Sequence, residues 1–177
     1  MKTTDKYLFQ ALDNYPFWLE GTIESLDYAS SYDDKNTMVL CLYGRIQAEQ
    51  LMNYEEAKAY FQEALAINIH ALEVYPYYLQ TLILNEDYEE AQKLIDFALT
   101  IKGVNKAMIF VKKAVLLEVQ HKFKEALKEI KQAKLYTIQH DYDSGISEVE
   151  KRIKDKMDLL KKKKSKKDKK GSKKKSK

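Results

Sequence analysis

Three stretches of the chain repeat one another: NYEEAKAYFQEALAI at 53–67, DYEEAQKLIDFALTI at 87–101 and KFKEALKEIKQAKLY at 122–136. Each opens on an aromatic residue followed three positions later by alanine: Tyr54 and Ala57, Tyr88 and Ala91, Phe123 and Ala126. Each places a large apolar residue four further on (Phe61, Ile95, Ile130) and a second alanine seven after the first (Ala64, Ala98, Ala133). The alanine-to-alanine periods are 34 and 35 residues. Self-similarity at such a period is what a stack of short supersecondary units leaves in a sequence. Positions i, i+4 and i+7 share one helical face. Small–large–small on that face lets a neighbouring helix come close at the alanines while the large residue fills the space between them. Glu55, Glu56, Asp87, Glu89 and Glu90 sit in first turns, where the helix dipole favours negative charge.

A second helix precedes each of these. The stretch 37–52 (TMVLCLYGRIQAEQLM) follows Asn36, a good N-cap. The stretch 70–84 (HALEVYPYYLQTLIL) holds the same place one period later, and Pro76 within it predicts a kink or a delayed start. The stretch 105–120 (NKAMIFVKKAVLLEVQ) is the third, after Gly103, a natural stop for the helix before it. Each unit therefore reads as helix–turn–helix.

On these residues the chain resembles the tetratricopeptide repeat (TPR) family. The aromatic-x-x-Ala…large-apolar…Ala pattern carries the resemblance, with the 34–35 spacing and the small Ala114 and large Leu117 of the third leading helix. It covers about 36–138. Two features depart from the family pattern. Ile69, Gly103 and Ile138 stand where the family closes a repeat with proline. In the first leading helix, Gly44 takes the small position only if one residue is inserted before Tyr54. The resemblance implies an all-α fold: a TPR-like right-handed superhelix of antiparallel helix pairs, an alpha-alpha solenoid, with a C-terminal capping helix and a disordered tail. Repeats are expected at 36–69, 70–104 and 105–139.

Residues 1–35 read as a degenerate N-terminal helix pair. Thr22, Leu26 and Ala29 repeat the small–large–small set, 35 residues before Ala64. Residues 5–13 supply the short leading helix, Pro16 suits the first turn of the next, and Phe17 and Trp18 are expected in the core of this cap. At the other end, Ile146, Val149, Ile153, Met157 and Leu160 recur every three or four residues and predict an amphipathic helix over 143–160. Residues 161–177 hold no apolar side chain and are expected to be disordered beyond a frayed helical start.

Charge divides along the same line. Residues 161–177 hold 12 Lys and one Asp, a net +11, so the formal +4 of the chain leaves −7 on residues 1–160. Five Gly and two Pro are too few turn-formers for an all-β barrel or sandwich. One cysteine, Cys41, excludes an intrachain disulfide framework. The N-terminal stretch has no unbroken apolar run and no eighteen-residue apolar segment occurs, so the expectation is a cytoplasmic protein without a transmembrane helix.

Chemistry-bearing motifs are sparse. No glycine-rich phosphate loop and no nucleophile elbow is present. His70, His121 and His140 do not pair at ligand spacing, and His140 with Asp141 and Asp143 reads as a solvated turn. Cys41 lies in an apolar run and reads as a buried thiol. The expectation is a non-enzymatic protein with no cofactor and no metal.

The resemblance implies a groove lined by the leading helices, and chaperone-binding family members grip a C-terminal carboxylate there with Lys, Arg and Asn. Aligned by period, the corresponding places hold Leu42, Ile46, Tyr77, Met108 and Lys112; the alternative register brings in Cys41 and Arg45. Neither set completes a carboxylate clamp. The candidate groove is apolar and aromatic instead: Val39, Leu42, Ile46, Tyr77, Ile83, Met108, Val111, Lys112 and Val115. Two readings stand. The residues pack helices together or lie under the C-terminal helix, or they dock an amphipathic helix or apolar peptide from a protein partner, a second copy included. The tyrosines around Pro76 (Tyr75, Tyr77, Tyr78) are the most interface-like cluster.

The tail has two readings as well. It is a solvated low-complexity segment, or it tethers the chain weakly and non-specifically to nucleic acid or the ribosome through Lys161, Lys162, Lys163, Lys164, Lys173, Lys174 and Lys175. It holds no Arg and no aromatic residue, so sequence-specific recognition is not supported.

Overall fold

A computed structural model describes residues 3–137 and 143–172 of the chain. The described residues are α-helical and fall into two compact units, Met1–Asn105 and Lys106–Lys177. The first holds α1 (Thr3–Asn14), α2 (Leu19–Tyr32), α3 (Thr37–Arg45) with a π-helical turn at Ile46–Gln50, α4 (Tyr54–Ile67), α5 (Val74–Leu84) and α6 (Tyr88–Ala98). The second holds α7 (Lys106–Val119), α8 (Phe123–Leu135) and α9 (Asp143–Ser172). The fold is all-α and TPR-like.

In the first unit each helix packs on the next to form pairs: α1 on α2, α3 on α4, α5 on α6. The pairs stack through α1 and α2 on α3, and through α3 and α4 on α5. The alanine pattern sets this packing. Ala57, Phe61, Ala64, Ala91, Ile95 and Ala98 are all sealed from solvent, as are Leu26 and Ala29 one period earlier. Polar links join the second pair to the third. Lys58 Nζ reaches Asp87 at 2.7 Å and Gln62 Nε2 donates to the Tyr78 hydroxyl at 2.9 Å, which in turn donates to Glu90 within the third pair at 2.6 Å.

The turns within pairs share one backbone device. Met52, Glu86 and His121 have positive φ (53°, 64° and 62°). They are spaced 34 and 35 residues apart, so the left-handed turn residue repeats with the alanines. After Glu86 and His121, the amides of Asp87 and Lys122 bond back to Leu82 (2.9 Å) and Leu117 (2.8 Å), five residues upstream. After Met52, the amide of Asn53 bonds to Gln47 at 2.8 Å, six residues upstream. The extra residue is absorbed by the π turn, where the Leu51 amide bonds to Ile46. This is the inserted residue that Gly44 requires, and it fixes the register of the first leading helix: Gly44 lies against the ring of Phe61.

Several local expectations meet their geometry. Asn36 caps α3 by accepting from the amides of Met38 and Val39. Pro76 falls in the first turn of α5, which starts at Val74. Gly103 has φ 90°, although α6 ends earlier, at Ala98. At the N-terminus two expectations need correction. Pro16 stands in the turn before α2 and not in its first turn, since α2 begins at Leu19. Phe17 and Trp18 are not core: Phe17 is 94% exposed and Trp18 55%. The Trp18 ring lies against Gly21, where a side chain would collide with it.

In the second unit α9 packs on both α7 and α8. Ile146 and Ile153 are buried with Ala114, Leu117, Phe123, Ala126, Ile130 and Ala133, and Val149 and Met157 pack at the margin. Glu118 of α7 is 2% exposed and accepts from Arg152 Nε (2.9 Å) and Nη2 (2.7 Å), with Lys156 Nζ at 2.7 Å. Lys134 and Lys154 flank Glu150, each at 2.5 Å. The helical backbone of α9 continues to Ser172, past Leu160, where the amphipathic pattern ends. Lysine is a good helix former, and neither Gly nor Pro interrupts 161–170. His140 and Asp141, and Ile138 at the third repeat boundary, lie outside the described residues.

Candidate functional site

The leading helices of the first unit bring together residues from three elements around Arg45. Arg45 ends α3, and its guanidinium lies over two tyrosine rings: Tyr15, just after α1, at 4.6 Å, and Tyr77 of α5, at 4.2 Å. Glu49, in the π turn, stands 3.5 Å from Arg45 Nε and accepts the Tyr15 hydroxyl. Arg45 Nε itself is buried and makes no hydrogen bond. Burial, then the bond to Glu49, pushes the Tyr15 phenol up to about 12, so Tyr15 stays a neutral donor. The side chain of Arg45 is 20% exposed and that of Glu49 40%. An arginine held between two aromatic faces has surrendered its rotamer freedom before any ligand arrives.

The π turn makes this cluster possible. Its extra residue lets the chain keep Gly44 against Phe61 and still place Glu49 beside both Tyr15 and Arg45. Met38, at the other end of α3, is 41% exposed, and Leu84, at the end of α5, is 49% exposed.

The structure divides the predicted groove residues. Val39, Leu42 and Ile46 are buried, at 2% exposure or less, in one cluster with Leu8, Ala11, Tyr15, Leu26 and Ala29. Ile83 is also buried. These four pack helices together and are not open to a partner. The reason is the π turn: with Gly44 in the small position, the alternative register applies and the open face of α3 turns from Leu42 and Ile46 to Arg45. Cys41, which that register also brings in, is buried. Burial pushes its thiol up to about 12, leaving it a poor nucleophile at neutral pH. Tyr77 is half-buried under Arg45. Tyr75 and Tyr78 are core, bonding Ile69 O and Glu90.

In the second unit, Met108, Lys112 and Val115 share one face of α7 and are partly or well exposed, while Val111 packs at the margin of the core that α9 completes. Of Lys161, Lys162, Lys163 and Lys164 only the helical backbone is described; Lys173, Lys174 and Lys175 lie outside the described residues. Among the described residues no group of three His, Cys, Asp or Glu side chains is placed to hold a metal ion, and no helix is long and apolar enough to cross a membrane.

Sequence reasoning identified Tyr77 and weighed Arg45 but missed Tyr15 and Glu49. The clue available was Gly44: accepting its one-residue insertion places both Arg45 and Glu49.

Two solved structures share the fold. One is PilW, described as a widely conserved type IV pilus biogenesis factor, with a TM-score of 0.68 and 15% identity over 89% of this chain and 77% of that one. The other is pilF of Pseudomonas aeruginosa, with a TM-score of 0.63 and 16% identity over 89% of this chain and 76% of that one. No protein-family model matches the chain. No curated protein matches it.

Proposed function

We propose that the chain is a non-enzymatic scaffold that holds a segment of a partner protein along the face made by the leading helices of the first unit, centred on Arg45 and Tyr77, with the buried Tyr15 backing the guanidinium. The observation that carries this reading is the Arg45 guanidinium, 20% exposed, held over the rings of both Tyr15 and Tyr77. Arginine and tyrosine are the residue types on which protein interfaces concentrate their binding energy. Here they are fixed in place, so a partner meets them without a large ordering cost. The exposed apolar side chains of Met38 and Leu84 extend the face beyond the cluster. The TPR-like stack of helix pairs supports a scaffold, since such stacks present extended faces of repeated helices.

A photoreactive residue tests the assignment directly. Placed at Met38 in the full chain in its native cell extract, it should cross-link one protein reproducibly. The same residue at Asp96, exposed on α6, should not. Equal labelling from both positions, or none from Met38, would overturn the proposal.

A further inference from the structure

The charge of the molecule is segregated by unit. Residues 1–105 hold 7 Lys+Arg and 17 Asp+Glu, a net −10; residues 106–177 hold 24 and 10, a net +14. Within the acidic unit, one helix face lacks a partner among the described residues. α2 packs on α1 and α3 through Thr22, Ser25, Leu26 and Ala29. Its opposite side exposes Glu20, Glu24 and Asp27 with the apolar Ile23 (37% exposed) and Tyr28 (50%), and the helix contains no Lys or Arg. A shallow depression there is lined by Glu24, Asp27, Tyr28 and Ser31. The surface continues onto α4. Tyr43 donates to Asp27 at 2.5 Å and stacks on Tyr60, and the carboxylates of Glu56, Glu63 and Asp27 add to burial in holding the Tyr60 phenol neutral. Glu24, Glu56 and Glu63 form no ion pair among the described residues, whereas Glu55 and Asp87 share Lys58. The cation on the α1 side of this face is Lys6, over the ring of Tyr7, which stacks on Tyr28.

The complementary element is in the same chain. α9 runs unbroken from Asp143 to Ser172, and among the described side chains the last apolar one packed in the core with α7 and α8 is Met157. Beyond it Leu159 and Leu160 are exposed, at 60% and 46%. The helical backbone then continues through 161–172, eight Lys and one Asp, a net +7. At 1.5 Å per residue the segment past Met157 spans about 22 Å.

We propose that the outer face of α2 docks the basic helical segment 159–172 of a second copy of this chain. The leucine pair meets Ile23 and Tyr28, and the lysines meet the unpaired carboxylates of α2 and α4. Because exposed charges carry the contact, it is salt-sensitive.

Sedimentation velocity on the full-length chain, stripped of nucleic acid, tests this. Association should rise with protein concentration at about 50 mM salt and vanish at about 500 mM, where the screening length has fallen roughly threefold. Two full-length variants then separate the surfaces. One carries Glu20→Lys and Glu24→Lys; the other carries Lys161→Glu, Lys162→Glu, Lys163→Glu and Lys164→Glu. Glu20 and Glu24 are solvent-facing, and unchanged far-ultraviolet dichroism verifies that both variants fold. Each variant alone should be monomeric, and their equimolar mixture should associate, because the exchange of charge restores complementarity. A full-length chain that is monomeric at low salt overturns the proposal, as does undiminished association of either variant alone or a mixture that stays monomeric. Salt-sensitive retention of RNA or DNA with no self-association also overturns it.

Discussion

Gly44 of α3 lies directly against the ring of Phe61 of α4: a Cβ on Gly44 would stand 2.7 Å from Phe61 Cε1. Contacts this close do not occur, and Phe61 is sealed in the core, so one side must move. Gly44→Ala should therefore lower stability by about 1–3 kcal/mol in urea titration. Adding Phe61→Leu should return part of that loss, because the two changes share one space. Strict additivity of the two would place the helices differently.

The π turn gives a second expectation. Removing the exposed Gln50 shortens the turn by its inserted residue and lets α3 continue as an α-helix into the same inter-pair turn. The deletion should fold, with a stability change of about 1 kcal/mol or less. It should also free the Tyr15 hydroxyl from Glu49, bringing its titration down toward that of an ordinary tyrosine. Deleting Gln80 from α5, which has no π turn, should instead destabilise severely. Equal effects from the two deletions would contradict the insertion.

Glu86 holds a positive φ of 64° in an exposed turn. Residues with a Cβ are strained there, and glycine is not. Glu86→Gly should raise stability by about 0.5–1 kcal/mol in thermal or urea melts. A loss of similar size would mean that the turn does not adopt this conformation.

Acid should release the C-terminal helix. Burial alone would raise the Glu118 carboxyl, but the bonds from Arg152 and Lys156 outweigh it and hold the group below the usual carboxylate range. Its folded value is thus below its unfolded one. The stabilisation is present above the unfolded value, about 4.3, and disappears as pH falls through the depressed folded value. Glu118→Gln should cost about 1–3 kcal/mol at neutral pH and remove this part of the acid sensitivity. Hydrogen exchange of α9 amides is the readout; protection unchanged by the substitution would show that Ile146 and Ile153 hold the helix without the ion pair.

Much of the fold was legible because burial writes a periodic pattern. The alanines and the large residues between them mark helix faces that must seal, and all of them do. The open face of α3 was harder to read. A one-residue insertion rotates the residues before it by about 100° relative to those after it, so Leu42 and Ile46 give way to Cys41, which is buried, and Arg45, which lies over Tyr77. Phe17 and Trp18 were misplaced for a related reason. Hydrophobicity reports that a side chain gains from cover, and the turn before α2 leaves Phe17 and Trp18 largely open, at 94% and 55% exposure. Glu118 could not have been found from its own helix, since its cations lie 34 and 38 residues downstream on α9.

The binding face is tested most directly by the affinity of the chain for the protein segment that cross-links to Met38, measured by calorimetry. Tyr77→Ala and Arg45→Lys should each weaken binding at least about tenfold, roughly 1.4 kcal/mol, while Glu24→Lys on α2 leaves it within about twofold. Affinity unchanged by both substitutions in folded protein would contradict the assignment of the Arg45 cluster as the centre of the site.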